Sequence, residues 1–179
     1  MRPLSGMTQR SDSVFHFSNK QGNWRELDEA LNLESERLKQ MLALWELKRG
    51  SKDIPNRADF DIGELMQFDG RVALIDVEHD PMRFRFRLVG THITQTLERD
   101  STGQYLDELY SPELLAVAVK SYEFCVERKR PIRAFGHMAH ADKDYVRFEA
   151  IDMPLSLTGD RVEVILKGTN FPTRTTFQP

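Results

Sequence analysis

Residues 71–91, RVALIDVEHDPMRFRFRLVGT, constrain this chain more than any other stretch. Their second half alternates, with Phe84, Phe86 and Leu88 on one face and Arg83, Arg85 and Arg87 on the other. A period of two over that length predicts a strand with one face buried. Residues 72–77 form a second β-rich run, and the polar turn at 78–81 joins the two as an antiparallel hairpin. Gly90 ends the strand, and the pattern turns helical as far as Pro131. Three strand-like runs follow, at 132–139, 145–153 and 161–169. A hairpin, then helices, then three strands predicts an α+β fold built on a five-stranded antiparallel sheet.

The N-terminal quarter reads differently. Residues 1–22 are polar and aperiodic, so fixed structure is not expected there. Residues 23–50 read as an amphipathic helical segment flanking a domain at 51–179. Leu38, Met41, Leu42 and Trp45 form one apolar stripe, which Leu31 extends backwards. Lys48 and Arg49 suit the negative end of the helix, and Gly50 supplies a stop. Such a stripe must be buried, against the sheet or against the same helix of a second chain. Asp61 and Glu64 spell a capping box for a short helix through Phe68. Ser111 and Pro112 read as cap and first residue of the longest internal helix, running to Arg128. Its inner face should carry Leu115, Ala118, Tyr122 and Cys125 or Val126.

Composition removes several classes of function. A net charge of −3 and a pI near 6.0 argue against a general nucleic-acid binder. The arginine stripe therefore reads as an outer sheet face paired with Asp76, Glu78 or acids of the N-terminal helix. Cys125 is the single cysteine, which rules out an internal disulfide and fits a small buried hydrophobe. No run approaches a membrane span and the first residues lack a secretory core, so a cytoplasmic protein is expected. His137 and His140, near Asp142 and Asp144, offer metal-ligand types. Their i, i+3 spacing suits a helix, whereas this segment reads as strand and turn, so a solvated hairpin tip and no metal are expected. His92 brings no haem motif with it, and phosphate loops and hydrolase signatures are absent. Arg57 is placed to bridge its connector to Asp59 and Asp61 at the start of the next helix.

Taken in succession, LWELKRG (44–50), IPNRADFD (54–61), RFRFRLVGT (83–91), TGQYLDEL (102–109) and MPLS (153–156) resemble a bacterial family of compact PAS domains. The resemblance runs from residue 38 to residue 169, with Ile62 where such sequences often carry proline and Phe86 where tyrosine is common. It implies a sheet ordered 2-1-5-4-3, with helices across one face around a small-molecule cavity. It brings no catalytic residues and leaves any cofactor open. It also implies that the N-terminal helix builds a homodimer, which makes Leu38, Leu42 and Trp45 interface candidates.

The resulting expectation is a free-standing sensory module. The chain ends at Pro179, soon after the last strand, so its signal is expected to pass to a protein partner in trans. A small apolar ligand would lie among Phe84, Phe86, Leu88, Leu115, Ala118, Tyr122 and Leu166, with the Tyr122 hydroxyl as polar anchor. Neither nucleic acid nor membrane is an expected partner. A ligand-free interaction module is the alternative. A small enzyme of the α+β cone type would need an acid/base pair where only Tyr122 offers a proton.

Overall fold

The computed structural model describes residues 8–11, 14–18, 24–140 and 144–172. The strands are β1 (Thr8–Ser11), β2 (Val14–Ser18), β3 (Trp24–Asp28), β4 (Val72–Glu78), β5 (Arg83–Val89), β6 (Ile132–His140), β7 (Asp144–Leu155) and β8 (Val164–Asn170). The helices are α1 (Glu36–Arg49), α2 (Ile62–Met66), α3 (Thr91–Leu97), α4 (Leu106–Leu109), α5 (Pro112–Ala118) and α6 (Lys120–Arg128). The α+β class holds, but the sheet is larger than expected. It has eight strands in the order β1-β2-β3-β6-β7-β8-β4-β5, all paired antiparallel. The expected five-stranded sheet is corrected accordingly. The strands read from the sequence stand side by side as β5-β4-β8-β7-β6, and β1, β2 and β3 extend the sheet beyond β6.

That extension overturns the reading of the N-terminus. β1 and β2 occupy part of the segment expected to lack structure, and the rest of residues 1–22 lies outside the described residues. β3 replaces the first turns of the expected helix, and Leu31 has a left-handed backbone (φ 56) incompatible with helix. The Asp28 carboxylate accepts from the backbone N–H of Ala30 (2.9 Å) and Asn32 (3.0 Å), turning the chain out of the sheet. Helix α1 starts only after Ser35, whose hydroxyl accepts from the Leu38 N–H. Gly50 closes it through an N–H to the Glu46 carbonyl.

The sheet is buried on both faces, which corrects the expectation of helices on one face. Along β4, Ala73, Ile75 and Val77 face α3 to α6, whereas Val72 and Leu74 face α1. Leu38, Met41 and Trp45 bury against Ile151, Met153, Val164 and Leu166, and the Trp45 indole donates to the Pro154 carbonyl (2.9 Å). Gly168 lies beneath, where a methyl group would collide with Met41 and Leu38. The interface reading of the stripe is corrected too: Leu38 is 0% and Trp45 2% exposed within one chain, and Leu42 is half-buried on the same core.

Two local rules proved legible. The Asp61 and Glu64 capping box opens α2, and Ser111 with Pro112 opens α5. The long helix, however, breaks at Val119 into α5 and α6. The outer edge of β5 is covered by the following loop, through Phe86 N–H to Gln104 O (3.0 Å) and Gly103 N–H to Phe86 O (2.6 Å). Arg57 does not bridge to the acids: it donates to the Phe60 carbonyl (2.9 Å), while Asp59 takes Lys52 and Asp61 caps α2.

On the α1 face, Arg133 of β6 is buried beside Glu149 of β7 (2.8 Å) and Asp28 of β3 (3.5 Å). Glu149 also accepts the backbone N–H groups of Glu34 (2.8 Å) and Ser35 (2.9 Å). Removing one member of a buried charge cluster strands the others. Glu149→Ala is therefore expected to cost about 3 kcal/mol in urea unfolding, and a loss under about 1 kcal/mol would show that the cluster does not hold α1. Where β3 docks on β6, Gly136 has φ 155, and a methyl group there would strike the Trp24 carbonyl. Gly136→Ala is expected to cost about 1–3 kcal/mol; an unchanged unfolding midpoint would argue against this register.

Candidate functional site

Between the inner face of the sheet and α3 to α6 lies a cavity of about 520 Å³. Its apolar wall is built by Phe86 and Val89 of β5, Ile93 and Leu97 of α3, Leu106 and Leu109 of α4, and Leu114 and Val117 of α5. Phe148 of β7 and Phe171, which follows β8, complete it. Arg25 of β3, Tyr122 of α6, and Lys167 and Thr169 of β8 add polar groups. Exposed Glu98 and Arg99 stand at its edge, with Trp24 and His137. The volume lies within the range of small-molecule sites, about 300–1,000 Å³.

Of the pocket residues expected from the sequence, Phe86, Ala118 and Tyr122 line this cavity. Phe84 lies behind, its ring 5.4 Å from that of Tyr122. Leu115 packs against the same core without lining the space, and its neighbours Leu114 and Val117 do so instead. Leu88 is corrected outright. Leu74 pairs with Leu88 but Ile75 with Phe86, so Arg87 is an extra residue, a β-bulge that reverses the alternation. Val89 thus turns inward and Leu88 is left 36% exposed. Leu166 is also corrected: it belongs to the core under α1, while its neighbours Lys167 and Ile165 face inward.

Sequence reasoning missed Arg25, Lys167, Asp152 and Thr169. Arg25, 6% exposed, lies across the joint between α5 and α6, donating to the Ala118 carbonyl (3.1 Å) and Ser121 Oγ (2.9 Å). Its guanidinium also sits 5.1 Å from the centre of the Phe148 ring. Lys167 Nζ is 2.9 Å from Asp152 Oδ1 and 5.2 Å from the Tyr122 ring centre. Burial holds the Lys167 pKa below the usual lysine range, although Asp152 opposes that shift. Burial pushes the Tyr122 phenol up, so its hydroxyl keeps its proton. Asp152 Oδ2 and Thr169 Oγ1 are buried without a hydrogen-bond partner among the described residues. The one available signal was alternation: VILKGTN places Lys167 and Thr169 on the same face of a strand as buried Ile165.

The arginine stripe and the histidines that the structure describes have ordinary partners. Arg85 and Arg87 both pair with Asp76 (2.8 and 2.5 Å), and Arg83 pairs with Asp107 (2.8 Å). Glu78 instead accepts from the Tyr105 hydroxyl (2.5 Å). His92 faces Arg71 (2.8 Å) and the Phe171 ring. His137 accepts from the Trp24 indole (3.0 Å), whereas Asp142 and the side chains of His140 and Asp144 lie outside the described residues. Among the described residues no three His, Cys, Asp or Glu side chains are grouped to hold a metal.

Cys125 is fully buried, and its thiol donates to the Asp152 backbone carbonyl (3.3 Å). Burial raises its pKa well above the ordinary thiol value, so it stays protonated. Iodoacetamide at mildly alkaline pH is expected to leave it unlabelled in folded protein and to alkylate it in guanidinium, read by mass spectrometry. Rapid labelling of the folded chain would contradict this.

Residues 33–167, from just ahead of α1 into β8, match the family model of the PAS domain. The match takes in α1 and leaves out β1, β2 and β3. No curated protein and no solved structure matches the chain.

Proposed function

The chain belongs to the PAS-domain family, and from that premise we propose that it is a sensory module whose cavity takes up a small molecule and reports its presence to a protein partner. One observation carries this reading: a space of about 520 Å³ is left between sheet and helices, bordered by buried polar side chains whose donors and acceptors are not all used. A closed core is packed with few voids larger than a water molecule, and its polar groups are paired. The helices over the cavity are short and broken at Val119, so occupancy can shift their packing.

Binding rather than turnover fits the polar groups. Tyr122 and Cys125 are held protonated by burial, and Lys167 is tied to Asp152. The three arginines of β5 are engaged in ion pairs, which fits a module that does not bind nucleic acid. Among the described residues no helix is long and apolar enough to cross a membrane. A homodimer, if formed through α1, would use its outer surface, where Leu47 is 76% exposed, because the inner stripe is occupied.

Ala118 lines the cavity with a small side chain and tests the reading. Ala118→Leu is expected to leave the unfolding free energy unchanged or higher and to abolish retention of a small molecule detected by native mass spectrometry. Overpacking a closed core would instead cost about 1–3 kcal/mol. That loss, with no molecule recovered from the parent protein, would favour a ligand-free interaction module.

A further inference from the structure

We propose that the polar end of the cavity is an anion site, and that the molecule it takes is an amphiphile with an apolar body and one carboxylate. This rests on the reading of the cavity as a ligand site and specifies its chemistry. Arg25 and Lys167 both present cationic groups to the cavity, from β3 and β8. The one buried carboxylate beside them, Asp152, is committed to Lys167 at 2.9 Å. Arg25 has only neutral partners, the Ala118 carbonyl, Ser121 Oγ and the Phe148 ring, and no ion pair with a described residue. One positive charge is therefore left over in a buried wall, an arrangement that is costly unless a counter-charge arrives.

Two further observations locate the head group. Thr169 is 4% exposed, lines the cavity on the same face as Lys167, and has a hydroxyl with no partner among the described residues. Tyr122 lines the same region, close enough to feel the charges of both Arg25 and Asp152, and its protonated hydroxyl is a donor. A guanidinium, an ammonium and two hydroxyls form a donor-rich set suited to a carboxylate. A single excess charge matches a monocarboxylate better than a phosphate dianion. Away from this end, the wall turns to Val89, Ile93, Leu97 and Leu114, which suits an aliphatic or aromatic body.

The test uses the full chain and three probes of equal length: octanoate, 1-octanol and octylamine, titrated by calorimetry. Octanoate is expected to saturate at one per chain and to bind about tenfold tighter than octanol, the gain of one charge-assisted hydrogen bond. Octylamine should bind more weakly than either. Arg25→Met, similar in length, should bring octanoate to the level of octanol. Thr169→Val should weaken octanoate selectively, and it serves alone if Arg25→Met does not fold. Equal affinity for octanoate and octanol would overturn the anion inference while leaving a ligand cavity. An octanoate preference untouched in every folded variant would also overturn it. Binding of none of the probes to folded protein would overturn the cavity reading itself.

Discussion

The arrangement of this protein depends on one buried guanidinium. Arg133 sits on the α1 face of β6, paired with Glu149 of β7 and Asp28 of β3, with the Phe135 ring 4.1 Å beneath it. Each partner has a second task. Asp28 turns the chain out of the sheet, and Glu149 collects the backbone N–H groups that lead into α1. A single cation thus links three neighbouring strands to the segment that leads into the covering helix. Buried charge clusters add little net stability over apolar packing, but separating one partner from the rest leaves an uncompensated buried charge. Slipping β3 by one residue would separate Asp28 from Arg133 and turn Arg25 away from the cavity. The chemistry of the inner face is therefore set by an interaction on the outer one.

What the sequence disclosed was local. The hairpin, the capping box at Asp61, the Ser111–Pro112 helix start and the three terminal strands rest on neighbours a few residues apart, and all are present. What it hid was settled over distance. WRELD reads as the opening of an amphipathic helical segment, yet it is a strand whose three charged residues, Arg25, Glu26 and Asp28, are buried because partners arrive from β2, β6 and α6. The bulge at Arg87 has no mark in RFRFRLV, since Asp76 recruits Arg85 and Arg87 together only once β4 is alongside. The apolar run in β8 suggested a site around Leu166. Strand alternation against two covering layers instead sent Leu166 to α1 and Lys167 to the cavity. Patterns of apolar residues found Phe86 and Ala118 but misplaced Leu88 and Leu166, and of the polar end of the cavity only Tyr122 was legible.

The sheet therefore separates two kinds of interior. Under α1, large side chains close on one another so tightly that Gly168 has no room for a methyl group. Under α3 to α6, short helices with a break between them leave space and enclose charge. Rigid packing on one side gives the other a fixed floor, against which small movements of the helices can register.

The two ends of the sheet differ in the same spirit. At one end, the backbone of β5 is already engaged by Gly103 and Gln104, so that no further strand can be laid against it there. At the other, β1 is the outermost strand among the described residues, with β2 on its inner side alone. A strand from another molecule seeking main-chain partners therefore meets a border at β5 whose backbone is already engaged. Lengthening of this sheet by a second chain is thus obstructed on the side of the cavity helices, while at the other end β2 separates β1 from the strand that carries Arg25 into the cavity.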